Sequence, residues 1–179
     1  LWLRLHPKIG KKIDGRAAEY LHLSANEDRA ARTSKPRQVP TLAQFKQAVE
    51  AMPHATPLEK RDRAVMAFAA ITAMRDAALV SLRLGDIDVT NRTVWQNPKH
   101  VKTKYAKGIL TAWVPVCPLF EEIVTEWLAY LRQEVGAGDD TPVFPVTLVE
   151  QNPDTLSFEV TGLGTQPWAN AAPVRQIFK

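Results

Sequence analysis

One cysteine, Cys117, stands in 179 residues. The chain therefore closes no intramolecular disulfide, and a reducing, cytoplasmic setting is the default expectation. No apolar run approaches the roughly 20 residues that a membrane-spanning helix needs. Histidine is scarce: His6, His22, His54 and His100 are scattered, and none sits at zinc-ligand spacing from another ligand type. Glycine is also sparse, and its one cluster, "TGLGTQ" at 161–166, has neither P-loop nor dinucleotide-binding spacing. No Ser-His-Asp or Cys-His arrangement stands out. Hydrolase, kinase and metal chemistry are left without support, no cofactor is expected, and what remains is a set of cations.

Those cations are unevenly spread. The net charge is only +4, yet residues 1–39 hold nine basic and four acidic side chains, and residues 60–107 hold ten and four. Residues 108–179 reverse the balance, with three basic and nine acidic. Such polarity suits a protein that turns one basic face toward a polyanion. A solvated surface that happens to be lopsided fits the charge count equally well.

Punctuation along the chain predicts a mainly helical fold with a small antiparallel sheet. "RAARTSKPRQVPTLAQF" (29–45) has the composition of a basic, extended linker, with Pro36 and Pro40 opposing helix. Thr41 is a candidate N-cap for a helix to about Met52. Thr56, Pro57 and Glu59 give a stronger start, a capping box with proline at the first helical position. The helix that follows is apolar nearly all round from Val65 to Ile71 and should be central. A shorter helix is expected over about 75–83. Next, "DIDVTNRTVWQ" alternates around a turn at Asn91-Arg92, and "HVKTKYAKGILTAWVPV" reads as two strands turning near 106–108. Phe120, Ile123, Trp127 and Leu131 or Tyr130 mark one face of a later helix. After Gly136 the chain reads as loop, with a short strand at "LSFEV" and a last helix from about Ala171. Trp95, Trp113 and Trp127 are expected in the core. "LWLRLHPKIGKK" lacks an initiator Met and is too interrupted for a signal peptide, and "APVRQIFK" reads as a helix cut part-way; the chain reads as a piece of a longer protein.

Arg75 is the residue that asks for an explanation. It closes the apolar stretch "AFAAITAMRD", where a guanidinium needs a partner. Asp76 next door is one candidate; a phosphate brought by a substrate is another.

"TAMRDAALVSLRLGDIDV" followed by "VKTKYAKGILTAWVPV" resembles the first half of the catalytic domain of tyrosine site-specific recombinases, the phage integrase family. The family segment has the form T-G-L-R-x-x-E-L-x-x-L-x-x-x-D-I. Thr72, Arg75, Leu79, Leu82, Asp86 and Ile87 occupy matching positions. The resemblance runs over about residues 35–145 and implies a DNA breaking-rejoining fold of the α+β class, here truncated. It implies that Arg75 binds the scissile phosphate and that Lys102, in a K-T-x-x-x-R-x-V-P-like context, is the catalytic lysine, with Lys104 as its rival. Residues 1–39 would then be the end of a preceding DNA-binding domain plus a basic linker, and residues 40–179 the N-terminal portion of the catalytic domain. The H-x-x-R box and the nucleophilic tyrosine would lie beyond Lys179. Double-stranded DNA is the implied partner, contacted by Lys35, Arg37, Lys99, Lys104 and Lys107. A synaptic tetramer on DNA, a bacterial nucleoid location and a phage or other mobile-element origin follow from the same resemblance.

Two departures stand out. Ala73 replaces the family's glycine, and Ala78 replaces the acidic residue three after the arginine. The second keeps an alternative open: a non-catalytic DNA-binding or regulatory module that retains the integrase fold.

Overall fold

A computed structural model of the chain describes residues 24–33 and 39–178. The chain divides between Val39 and Pro40 into two compact units. In the first, α1 (Ala25–Arg32) starts at a Ser24–Glu27 capping box and carries an Arg32–Asp28 pair one turn apart. Residues 29–32, expected as extended linker, are therefore helical. The box satisfies two amides that would otherwise lack partners, and the alanines that follow favour helix. Lys35 and Arg37 lie outside the described residues.

The second unit is built on α3 (Pro57–Thr72), with Thr56 and Glu59 forming the expected capping box. Val65, Ala67, Phe68 and Ile71 on it are fully buried. Phe68 meets Phe144 and Trp113 edge-on, with ring centroids 5.7 and 6.4 Å away. Burying one such ring stabilises the fold by roughly 1.5–3 kcal/mol. The helix packs on α5 (Pro118–Gln133), whose Phe120, Ile123, Trp127 and Leu131 are buried at the expected spacing. Ahead of them, α2 (Leu42–Ala51) is capped by Thr41 as expected.

Two features of the fold position the site. The first is the end of α3. Ala73 takes the left-handed conformation, φ 48° and ψ 26°, and its amide donates to the Ala69 carbonyl. This is the helix-terminating position that glycine normally fills. The left-handed step breaks the helical run two residues before Arg75.

The second is α4, which covers only Asp76–Leu79 rather than about 75–83. Ser81 Oγ donates back to the carbonyls of Ala77 and Ala78, competing with the next helical turn. Beyond it Leu82 and Leu84 pair with the backbone of Val143 and Thr141, and that long-range pairing outweighs local helix preference.

A three-stranded antiparallel sheet follows, in the order β1 (Ile87–Asp88), β2 (Thr93–Gln96), β3 (Ile109–Ala112). Gln96 pairs with Ile109, so residues 97–108 form a loop rather than the strand expected there. Val101 in it is buried, the Lys102 amide donates to Ser81 Oγ, and Tyr105 and Ala106 are left-handed. Trp113 and Trp127 are core residues as expected, but Trp95 is 48% exposed on the outer face of β2. There its ring lies against Gly108 so closely that a Cβ would fall 2.6 Å from Cη2.

The stretch after Gly136 is more ordered than its sequence suggests. Here β4 (Pro145–Gln151) and β5 (Phe158–Pro167) form a second antiparallel pair, with register shifts near its base. Arg61, buried on α3, donates to the Pro145 carbonyl and to Thr147 Oγ1. Its guanidinium also lies 4.7 Å from the centre of the Trp168 ring. The last described element is α6 (Ala172–Ile177). The fold is thus mainly helical with small antiparallel sheets. No described helix is long and apolar enough to cross a membrane.

Candidate active site

Because Ala73 ends α3 abruptly, Arg75 leaves the core and stands exposed as the N-cap of α4, with extended backbone. Its guanidinium has no hydrogen-bond or ion-pair partner among the described residues. Asp76 is not that partner. Its carboxylate accepts a 2.7 Å hydrogen bond from Arg175 Nε on α6 and another from the Ala77 amide. The Arg175 hydrogen bond, more than any other influence, holds the Asp76 carboxyl below its ordinary range.

Arg75 opens instead into a cleft of about 430 Å³ between the α3–α4 turn, the sheet and loop 97–108. Lys102, Lys104 and Lys107 line the same cleft, with Thr72, Gln96, Thr103 and Thr111 as neutral polar groups and no carboxylate. Four cations facing one cavity with no counter-charge make an anion site: a bound polyanion relieves their mutual repulsion, and the concave wall concentrates the field. Gln96 is buried and donates to Thr111 Oγ1, which fixes the floor. Thr103 Oγ1 is buried without a partner among the described residues. No group of three or more acidic, histidine or cysteine side chains able to hold a metal occurs among them either.

The two candidate lysines differ in surroundings. Lys102 has its backbone fixed on Ser81 Oγ, and its Nζ donates to the Ala169 carbonyl at 3.0 Å. Lys104 follows in a single 3₁₀ turn, its Nζ 4.9 Å from the centre of the Tyr105 ring. Lys99 is exposed outside the cleft lining. Of the cations singled out in the sequence, the fold brings Arg75, Lys102, Lys104 and Lys107 together, leaves Lys99 apart, and does not describe Lys35 or Arg37.

A family model described as the phage integrase family matches residues 36–147. The chain belongs to the phage integrase family. No curated protein sequence matches it. The matched span of this integrase-family chain covers the cleft, all four of its cations and α5. It stops two residues into the β4–β5 pair beyond Pro145, so most of that hairpin lies outside the span that defines the family.

Sequence reasoning missed Gln96 and Thr103, since a glutamine in a strand and a threonine in a loop carry no signal until the strands close on each other. It also missed the hydrogen bond between His100 and Asp86. They stand fourteen positions apart in the chain, and only the fold makes them neighbours.

Proposed function

We propose that the chain contributes to DNA strand cleavage and rejoining in a site-specific recombinase of the tyrosine type, acting on double-stranded DNA. The observation that carries this reading is the carboxylate-free cleft of Arg75, Lys102, Lys104 and Lys107 in a phage integrase family member. A phosphodiester passing through a pentavalent state gathers charge on its non-bridging oxygens. A planar guanidinium matches two of those oxygens at once, which an ammonium does not. Arg75 takes that role, seated on a rigid turn behind which α3 is fully packed.

Lys102 protonates the departing 5′ oxygen after turning from the Ala169 carbonyl, and Lys104 and Lys107 hold neighbouring phosphates. A tyrosine nucleophile stores the bond energy as a phosphotyrosine, so the chemistry needs no nucleotide cofactor. In this reading residues 40–179 are the first part of the catalytic domain. Residues 1–39, with Lys35 and Arg37, lead in from a DNA-binding segment, Lys99 touches the backbone further out, and the working form is a tetramer assembled on DNA.

One observation favours a second reading. Ala78 is buried where the family resemblance expects an acid, and Asp76 is engaged by Arg175, so Arg75 has no acidic neighbour to orient it. A DNA-binding module without chemistry would tolerate that.

The deciding experiment mixes the full-length protein with a pool of nicked, random-sequence suicide duplexes. A protein–DNA adduct that survives denaturant and maps to a tyrosine is the expected result. Salt-dependent binding without any adduct selects the second reading. Absence of both overturns the assignment to DNA.

A further inference from the structure

Asp86 is one of four buried polar or charged residues in the described structure. Both its carboxylate oxygens face His100 Nε2, at 2.8 and 2.9 Å. Asp86 itself cannot shift easily. Its Oδ2 accepts the Arg83 amide, its own amide donates to the Arg83 carbonyl, and the two preceding amides donate to Thr141 and Asp139 carbonyls. The acid thus belongs to the rigid frame, and the histidine belongs to loop 97–108.

We propose that His100, clasped by Asp86, is a positioning residue for Lys102, fixing the loop so that the lysine ammonium is delivered to one place in the cleft. The inference rests on the reading of Lys102 as proton donor. One residue, Val101, separates His100 from that lysine. Val101 is buried, and the Lys102 amide donates to Ser81 Oγ, so the loop is pinned at three consecutive positions.

Past Thr103 the pinning ends, and Lys104 to Gly108 are all exposed. The other charged groups around the clasp are Arg83, Asp140 and Lys102 on the His100 side, and Asp88, Arg132 and Asp139 on the Asp86 side. Arg132 donates to Asp139 at 3.0 Å, and Asp88 accepts from Asn91. Arg83 and Asp140 are occupied with each other at 2.6 Å, and the Lys102 ammonium is on Ala169. Asp86 is therefore the carboxylate that holds the histidine. Arg75 stands on a different support, the α3–α4 turn and the Asp76–Arg175 pair, and takes nothing from the clasp.

That separation makes the test specific. Cleavage by the full-length protein is measured on duplexes carrying either an ordinary 5′-bridging oxygen or a 5′-bridging sulfur, which departs without a proton. His100→Ala should slow the oxygen substrate about 10- to 100-fold, the scale of a misplaced catalytic group. Sulfur should restore the rate to within about 3-fold of wild type, since only proton delivery was lost. Arg75→Lys should stay slow on both. Equal slowing of both substrates by His100→Ala, or of neither, overturns the inference. If sulfur fails to rescue Lys102→Ala, the general-acid reading falls instead.

Amide exchange in the 179-residue chain reads the clasp without any chemistry. His100→Ala should speed exchange at the Lys102 amide about 10-fold, as expected for a local opening. The Val114 amide, bonded to the Ile71 carbonyl at 2.7 Å, should be unchanged. Equal acceleration at both sites, or at neither, also overturns the inference.

Discussion

Two antiparallel hairpins of this chain carry opposite charge and are held in opposite ways. Between β2 and β3, residues 97–108 contain Lys99, His100, Lys102, Lys104 and Lys107 and no acid. Between the ends of β4 and β5, residues 145–167 contain Glu150, Asp154 and Glu159 and no lysine or arginine. The basic loop is pinned near its start by a buried valine, a serine hydroxyl and the His100–Asp86 hydrogen bond. The acidic hairpin is gripped at its base by Arg61, and its outer part projects Leu156, Phe158 and Val160, each more than half exposed. A polyanion is drawn to the first and repelled by the second. The lopsided charge of the sequence therefore becomes a difference between two structural elements, one of which borders the cleft.

The comparison breaks most visibly through Arg75. In the full-length protein Arg75→Lys keeps the charge of the cleft but loses the two-pronged contact. It should lower the cleavage rate about 100-fold or more, the equivalent of about 3 kcal/mol, with DNA affinity nearly unchanged. Single-turnover cleavage and equilibrium binding check the two halves. An affinity loss as large as the rate loss would make Arg75 one more backbone contact, on a par with the loop lysines.

The second prediction sets hairpin against hairpin. Changing Lys102, Lys104 and Lys107 together to Gln should reduce the slope of log affinity against log salt by up to about 2.7, or roughly 40-fold in the affinity change between 50 and 200 mM salt. Changing Glu150, Asp154 and Glu159 together to Gln should leave that slope alone. Fluorescence anisotropy on a labelled duplex over a salt series measures both. A slope that moves with the acidic set and not with the basic set would reverse the assignment of the DNA-facing side.

What could be read before folding follows from range. The N-cap at Thr41, the capping box at Thr56 and the apolar face of α5 are short-range signals, and the structure holds them where they were expected. The errors fall where long-range contacts decide. Loop 97–108 alternates well enough to read as a strand, yet its amides go to Ser81 and to its own turns. Residues 80–83 lose their helix because Leu82 and Leu84 are drawn into pairing with 141–143. Trp95 reads as core, but the β2 pleat points it outward. Of the β4–β5 pair only the strand at "LSFEV" is legible, and β5 overlaps it; the rest stayed hidden because both strands are largely exposed and gain their order from each other. At the site, the four clustered cations were nameable one by one, but the Thr103, Gln96 and His100 environments were not.

Ala73 offers a smaller effect on the same region. Its methyl is exposed and its φ is 48°, so the side chain contributes strain and no packing. Ala73→Gly should stabilise the chain by about 0.5–1 kcal/mol, because glycine enters the left-handed region without the Cβ clash. Urea unfolding of the two proteins gives the difference. A destabilised variant would mean that the stiffness alanine imparts to the unfolded chain outweighs that strain.

The smallest effect lies where the two regions meet. The acidic hairpin runs through Trp168 into α6, and α6 reaches the cleft side through Arg175 and Asp76. Since the Arg175 hydrogen bond keeps the Asp76 carboxyl below its ordinary range, the folded state favours the ionised form. The contribution is then complete at neutral pH, above the unfolded value near 4. It is lost as pH falls through the lowered folded value. Both side chains are more than a third exposed, Asp76 at 34% and Arg175 at 70%, so solvent screening keeps the pair below about 1 kcal/mol. A double-mutant cycle of Asp76→Asn and Arg175→Gln at pH 7 should return a coupling of that size, and the gap between wild type and Arg175→Gln should shrink as the pH is taken from 7 toward 3. A coupling that grows on acidification would mean that Arg175 acts on α6 through some group other than the carboxylate of Asp76.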